Sequence, residues 1–144
     1  MTNAEPKRRY HSPRRQEQAQ ATRRQILKAA FDLFAEHGYA ATTLASIAGA
    51  AGVAAATVTA IFGTKFAILD TLIGTLVRGD DAPVPLTERS WWQEMLGEPD
   101  ARRQVAHYAA NARRIREQTA MIAQIVRSAA GADPEIAALR QRLA

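Results

Sequence analysis

The sequence predicts an all-α protein, and three of its features support that fold class. Apolar residues recur at helical spacing through most of the 144 residues, and no segment alternates apolar with polar residues as a half-buried strand does. Glycine, proline and capping residues separate the helical stretches. The composition is 47% hydrophobic, which is enough for a buried core. The length suits one domain, or a small domain joined to part of a second.

The first predicted helix runs from about Gln16 to His37. Five apolar residues fall at i, i+1, i+4, i+5 and i+8 and therefore share one face: Ile26, Leu27, Ala30, Phe31 and Phe34. Gly38 then supplies the left-handed residue that ends the helix. Arginine and lysine occupy the N-terminal part of the opposite face, where the helix dipole disfavours positive charge. An external anion explains these cations better than helix stability does.

Two short helices joined by a tight turn are predicted next. Thr42 or Thr43 can cap the first of them, and Gly52 can adopt the positive φ that a sharp turn requires. The inward-facing positions are small or apolar: Leu44, Ile47, Ala48, Ala51, Val53, Val58 and Ile61. Such residues allow two helices to cross at a steep angle after a short turn. The pattern predicts a helix-turn-helix unit, and a helical hairpin inside a bundle is the alternative.

Two basic features indicate an anionic partner. Thr64 is placed to cap a further helix with Lys65 in its first turn, and free N–H groups at a helix start together with a lysine suit a phosphate. Residues 1–28 hold eight lysines and arginines but only two glutamates. The net charge of +5 lies entirely in residues 1–79, since residues 80–144 carry nine basic and nine acidic side chains. A polyanion is therefore expected, although a solvated tail is the alternative for the basic arm alone.

Beyond Arg78 the sequence changes character. "GDDAPVPLTERS" is interpreted as a proline-containing linker, and a long helix is predicted from "GEPD", with Pro99 in its first turn and either a continuation or a break near residues 117–120. A last helix is predicted to start at Asp133, which can cap it, followed by Pro134. Because the chain ends soon afterwards, the apolar residues of that helix are expected to lie uncovered: Ile136, Leu139 and Leu143.

The composition disfavours several functional classes. Cysteine is absent, and no run approaches the roughly 18 apolar residues that a membrane span needs. The three histidines, His11, His37 and His107, are far apart, and no glycine-rich phosphate loop, metal-ligand spacing or activated nucleophile is present. We therefore expect a cytoplasmic protein that is not an enzyme and that uses no metal or cofactor.

Residues from about Arg23 to Leu69, "RRQILKAAFDLFAEHGYAATTLASIAGAAGVAAATVTAIFGTKFAIL", resemble the N-terminal DNA-binding domain of the TetR family of bacterial transcriptional regulators. The resemblance rests on the alanine-phenylalanine face before "EHGY", the threonine pair, "IA", "AGV" and the "FGTK" turn. It implies an all-α homodimer whose three-helix helix-turn-helix domain binds operator DNA. It also implies a repressor that is released when a small-molecule effector enters a C-terminal helical domain.

By this resemblance the recognition helix spans about Ala54 to Phe62. The implied DNA-binding residues lie at the end of the arm, at the helix caps and along that helix: Arg14, Arg15, Arg23, Thr42, Thr43, Ala54, Ala55, Ala56, Thr57, Thr59, Ala60 and Lys65. The family usually has serine or threonine where Ala54 or Ala55 stands, and a phosphate-binding tyrosine where Thr59 stands. Affinity is therefore expected to come largely from phosphates. A helical ligand-binding or interaction protein that has lost specific DNA binding is the alternative.

The resemblance divides the chain into a basic disordered arm (1–15), a helix-turn-helix domain (16–63), and a connecting helix with a truncated effector and dimerisation domain (64–144). Six residues are candidate liners of an effector pocket, with ordinary core packing as the alternative: Trp91, Trp92, Met95, His107, Tyr108 and Met121. TetR-like dimers generally form through their last two long helices, and the chain ends before them. Weak or altered self-association is therefore expected.

Overall fold

The computed structural model describes residues 12–80, 82 and 84–143, and within them it contains seven α-helices and no strand. The helices are α1 (Pro13–His37), α2 (Leu44–Ala51), α3 (Ala55–Phe62), α4 (Lys65–Arg78), α5 (Ser90–Gly97), α6 (Ala101–Ala129) and α7 (Pro134–Arg142), with a 3₁₀ turn at Leu86–Glu88 before α5. The predicted all-α class is confirmed. No single helix in this part of the chain is long and apolar enough to cross a membrane.

One apolar core joins the N-terminal helices to α6 and α7. Its largest fully buried apolar side chains come from five helices: Ile26, Phe34, Ile47, Val58, Ile68, Leu69 and Ile136. Burial of a side chain of this size contributes about 1.5–3 kcal/mol. α6 contacts both α1 and α4 and adds Ile122, Ile125 and Val126 to the same core. α1 and α4, which flank the helix-turn-helix pair, are therefore packed directly against α6.

α1 begins at Pro13, three residues before the predicted start at Gln16. Proline is favoured at the first helical position, because its fixed φ suits the helix and its missing N–H would have no partner there. Arg14 and Arg15 are therefore exposed residues of the first helical turn, and do not belong to a disordered arm as predicted. The rest of the predicted arm, residues 1–11, lies outside the described residues.

α6 is a single helix of 29 residues, without the break considered near residues 117–120. The side chain of Asp100 caps it by accepting a 2.9 Å hydrogen bond from a backbone N–H of the first turn. Pro99 precedes this cap and does not lie in the first turn as predicted. A 2.8 Å ion pair from Arg113 Nε to Glu117 Oε1 joins successive turns as the helix enters this region.

α7 buries two of the three apolar residues that the sequence predicted to be uncovered. Ile136 is 0% exposed and Leu139 is 2% exposed, and both belong to the shared core together with Tyr39 from the connection between α1 and α2. Leu143 is exposed, at 53%. The prediction of an uncovered apolar patch on α7 is therefore largely wrong. The prediction failed because it assumed that α7 lacked a partner, whereas α7 packs back against α6.

The segment between α4 and α5 is held by Arg89, a residue that the sequence analysis did not single out. Arg89 is 9% exposed, and its guanidinium donates to Asp80 Oδ2 at 2.6 Å and to the carbonyl oxygens of Ala82 and Val84 at 3.0 and 3.2 Å. The hydrogen bond from Arg89 is the main cause of a lowered pKa at the Asp80 carboxyl. The described residues of the predicted linker are therefore arranged around a buried arginine.

Candidate nucleic-acid interface

The turn between α2 and α3 sets these helices at an angle of 110°. Gly52 adopts a φ of 70° in the left-handed region, and the Val53 N–H donates a 3.0 Å hydrogen bond back to the carbonyl oxygen of Ala48. Val58 and Phe62, exposed by 0% and 9%, pack the inner side of α3 into the core. This is the geometry of a helix-turn-helix unit, and it leaves the outer side of α3 at the surface.

The outer side of α3 presents methyl groups and hydroxyls. Thr57 is half-buried, and five residues at the start and along the helix are exposed: Ala54, Ala55, Ala56, Thr59 and Ala60. The Thr59 hydroxyl donates a 3.2 Å hydrogen bond to the Ala55 carbonyl of its own helix, and Ala54 caps α3 without a side-chain hydrogen bond. The residues predicted for the recognition helix thus lie at one surface. None of them has a side-chain amide or a charged group that could hydrogen-bond to the edge of a base.

Arg23 joins α1 to the end of α3. Its guanidinium carbon lies 4.6 Å from the centroid of the Phe62 ring, so that a charged residue predicted to contact DNA also supports the position of α3. Stacking leaves the edge of a guanidinium, with its N–H groups, able to bind other acceptors. Arg14 and Arg15 are exposed on the same helix. The three arginines extend along about 13 Å of α1, at 1.5 Å per residue.

The two threonines before α2 have different roles. Thr43 caps α2 in a reciprocal pair of 3.0 Å hydrogen bonds with Ser46, in which each side-chain oxygen accepts from the backbone N–H of the other residue. Thr42 is 2% exposed, and its hydroxyl donates a 2.8 Å hydrogen bond to the carbonyl oxygen of Gly38. Thr43 remains a candidate for DNA contact. Thr42 was predicted to contact DNA, but its side chain is buried and therefore inaccessible to it.

Lys65 contacts the protein, whereas the sequence predicted that it would face an external phosphate. Its Nζ donates hydrogen bonds of 2.8 and 2.9 Å to the carbonyl oxygens of Tyr39 and Thr42, and it lies 4.3 Å from the centroid of the Tyr39 ring. Burial lowers the pKa of Lys65. The prediction of an anion site at Lys65 is therefore wrong, because backbone carbonyl oxygens already bind its ammonium group. Thr64 caps α4 as predicted, through a 3.1 Å hydrogen bond.

Tyr39, the last residue of "EHGY", was assigned no role in the sequence analysis. It is 6% exposed, and its ring centroid lies 5.3 Å from that of Phe34. Burial raises the pKa of its hydroxyl to about 12, and the charges of Asp133 and Glu135 at the start of α7 add to this shift. The one feature of the sequence that could have indicated this buried position is an aromatic residue directly after the glycine that ends α1. With Lys65, Tyr39 forms the centre of the connection between α1 and α2.

Comparison with known proteins identifies the N-terminal part of the chain. Residues 26–72, from α1 through α2 and α3 into α4, match the family model described as "Bacterial regulatory proteins, tetR family". The chain carries a TetR-family domain. The predicted TetR-family DNA-binding domain is therefore confirmed for this segment, and the family is one of DNA-binding transcriptional regulators. No curated protein and no solved structure matches the chain significantly.

Outside the TetR-family match, a largely apolar cavity of about 370 Å³ opens between α5 and α6. It brings together four of the predicted effector-pocket residues: Trp91, Trp92, Met95 and Tyr108. The two indole rings meet edge to face, with their centroids 5.8 Å apart. Five further residues of α6 complete the lining: Asn111, Ala112, Ile115, Arg116 and Thr119. These α6 positions recur every three or four residues, as expected for one face of a helix.

His107 and Met121 do not line this cavity, and their prediction as pocket residues is corrected. His107 is exposed on α6, with its Nε2 3.9 Å from Glu98 Oε2, and Met121 is 44% exposed. Each residue turns an α-helix by about 100°, so His107, next to Tyr108 in the chain, points away from the face that carries the cavity.

Proposed function

We propose that the chain is a transcriptional regulator that binds duplex DNA sequence-specifically, with α3 in the major groove and α1 along a phosphate backbone. The exposed face of α3, held at 110° to α2 and flanked by Arg23 of α1, supports this proposal. An α-helix fits the major groove, and a steep helix-turn-helix angle lets the second helix enter it while the first crosses the backbone.

The chemistry of α3 favours sites that contain thymine. The methyl groups of Ala55, Ala56 and Ala60 can contact the C5-methyl group of thymine, and the Thr57 hydroxyl makes no hydrogen bond within the described residues. α3 contains no Arg, Lys, Asn or Gln, so it lacks the bidentate base contacts that each provide about 1–3 kcal/mol of discrimination. Phosphate contacts from α1 therefore supply most of the affinity, and specificity is modest.

We further propose that a small-molecule effector in the α5–α6 cavity controls DNA binding, and that the protein is a repressor released by this effector. α6 forms one wall of the cavity and also packs against α1 and α4. A displacement of α6 is therefore transmitted to α1, which holds the end of α3 through Arg23 and Phe62. Two half-sites on one duplex require two copies of the domain, so the proposal includes a homodimer on the operator.

A matched pair of charge substitutions tests the DNA-binding proposal. Ala55→Glu adds a carboxylate to the outer face of α3, and Ala138→Glu adds the same charge to an exposed position of α7. Glutamate in the first turn of a helix is compatible with the helix dipole, so folding should be retained. We expect Ala55→Glu to lower affinity for a duplex selected from a random pool by about tenfold or more, because like charges in an interface repel strongly. Equal affinities of the two variants would contradict the placement of α3.

The methyl-rich surface of α3 also favours a second candidate function. A helical ligand-binding protein on the same scaffold would need no base contacts, and its α3 could lose every long polar side chain without loss of activity. Such a protein would bind the selected duplex and a scrambled duplex with the same affinity at physiological salt. A selected duplex that is preferred over its scrambled competitor would exclude this alternative.

A further inference from the structure

We propose that the α5–α6 cavity binds an aromatic monocarboxylate, and that Arg116 receives the carboxylate. This inference rests on the proposed effector role of the cavity and specifies the chemical class of the effector.

The apolar wall of the cavity suits an aromatic group. Met95 is 7% exposed, and Trp91 and Trp92 meet edge to face with an interplanar angle of 74°. A third ring can extend such an arrangement by stacking with an offset or edge to face. The cavity volume of about 370 Å³ lies at the lower end of the range for small-molecule sites. A ligand with one or two rings is therefore favoured over a larger one.

The charge at the cavity is positive. Arg116 lines it, and its lining residues include no aspartate or glutamate. Arg114 does not line the cavity, but its guanidinium carbon lies 5.0 Å from the centroid of the Trp91 ring and so adds positive charge beside a lining residue. Arg114 Nη1 donates to the neutral amide of Gln118 at 2.9 Å, and its Nη2 is buried without a partner within the described residues. Positive charges beside an apolar surface attract an anion and repel a cation.

Polar groups at the cavity also retain hydrogen-bonding capacity. The side chains of Arg116 and Asn111 make no hydrogen bond or ion pair within the described part of the chain. By contrast, Arg113 on the same helix is paired with Glu117 at 2.8 Å. A guanidinium presents its donors in a planar fork that matches the two oxygens of a carboxylate. Arg116 is therefore placed to bind the head group, with the Asn111 amide as a second donor.

Intrinsic fluorescence can report this binding directly, because both tryptophans of the chain line the cavity. The full chain, without DNA, would be titrated with 4-phenylbutanoate, 4-phenylbutan-1-ol and 4-phenylbutylammonium, which share one apolar group and differ in charge. We expect the carboxylate to bind most tightly and the ammonium most weakly. The difference between these two should be about tenfold at low salt and smaller at high salt, since exposed charges are screened.

Two arginine variants test the assignment of Arg116. Arg116→Gln should remove most of the preference for the carboxylate over the alcohol and leave the affinity for the alcohol unchanged. Arg102→Gln removes the same charge from an exposed position about four turns earlier on α6, and should leave the preference intact. An unchanged preference in Arg116→Gln, or equal binding of carboxylate and alcohol by the wild type, would overturn the proposal.

The titration also separates this inference from the proposed function. Absence of binding by all three probes would overturn the cavity as a site for this class of ligand, whatever the DNA-binding result. If the carboxylate binds with the expected preference but leaves affinity for DNA unchanged, the chemical class stands and the effector role is refuted. If the wild type binds no specific duplex, the ligand class remains supported by fluorescence alone.

Discussion

The Nζ of Lys65 donates a 2.8 Å hydrogen bond to the carbonyl oxygen of Tyr39 and lies 4.3 Å from the centroid of the ring of the same residue. A second hydrogen bond, of 2.9 Å, reaches the carbonyl oxygen of Thr42. The ammonium thus connects the first turn of α4 to the segment between α1 and α2. That segment leads directly into the cap of α2, so Lys65 supports the orientation of the helix-turn-helix unit.

Lys65→Ala should lower the free energy of unfolding by about 1–3 kcal/mol, because two part-buried carbonyl oxygens lose a charged donor. Lys28→Ala is the matched control. The Lys28 side chain is 79% exposed and pairs with Asp32 one turn later, an interaction worth about 0.3–0.5 kcal/mol. Urea unfolding of both variants measures the difference. Similar small losses would mean that Lys65 does not support this region.

Tyr39 predicts a loss of stability at alkaline pH. Burial is the main cause that raises its pKa to about 12 in the folded protein, against about 10 in the unfolded chain. The folded state keeps a proton that the unfolded state loses. The contribution of the protonated Tyr39 hydroxyl to the free energy of unfolding is therefore fully present below about pH 10 and is lost as pH rises toward about 12. Over this range the free energy of unfolding falls by at most about 1.4 kcal/mol per pH unit.

The variant Tyr39→Phe distinguishes the titration of Tyr39 from the titration of other groups in the protein. Lys65 acts in the opposite direction, because burial lowers its pKa and stability therefore rises with pH until the unfolded-state pKa is passed. Lys65 is present in both proteins, so the difference between wild type and Tyr39→Phe isolates Tyr39. Urea unfolding between about pH 9 and pH 12 should show this difference decline above about pH 10. A difference that stays constant over this range would contradict the buried position of the Tyr39 hydroxyl.

The helices and their turn were predictable because residues within one or two helical turns determine them. The apolar spacing around Phe34, the positive φ of Gly52 and the cap at Thr64 are of this kind. The contact between Lys65 and Tyr39 joins residues 26 positions apart, and no local pattern encodes it. The same holds for the burial of α7, which depends on how the chain folds back. Four of the six candidate pocket residues line the α5–α6 cavity and two do not, because the cavity depends on how α5 packs against α6.

Arg14 and Arg15 should each contribute a phosphate contact. Loss of one contact lowers the dependence of log K on log salt concentration by about 0.9. The double variant Arg14→Gln/Arg15→Gln should therefore bind duplex DNA more weakly and with a flatter salt dependence. Arg127→Gln, at an exposed position in the last turn of α6, should keep the wild-type slope. A wild-type affinity that is unaffected by salt would rule out the phosphate contacts altogether.

Thr59→Tyr should strengthen DNA binding. Thr59 is exposed, and its hydroxyl bonds only its own helix, so a larger side chain meets no packed neighbour there. The TetR family usually has a phosphate-binding tyrosine at this position. Binding would be measured on a selected duplex by fluorescence anisotropy. Ser128→Tyr in α6 is a control for nonspecific effects of the added ring, because Ser128 is likewise exposed and its hydroxyl bonds only its own helix. A Thr59→Tyr variant that folds but binds no better would show that this side of α3 does not face the backbone.

Ile136→Ala tests whether α7 and the helix-turn-helix unit unfold together. Ile136 is 0% exposed and shares one core with Ile26 of α1 and Tyr39, so truncation should cost about 2–5 kcal/mol. Leu143→Ala removes an apolar side chain that is 53% exposed, and should cost only about 0.5 kcal/mol. Thermal unfolding followed by far-UV circular dichroism and by tryptophan fluorescence should give one Tm, lowered in Ile136→Ala. Because the core is continuous from α1 to α7, a second transition that leaves the N-terminal helices unaffected would contradict this packing.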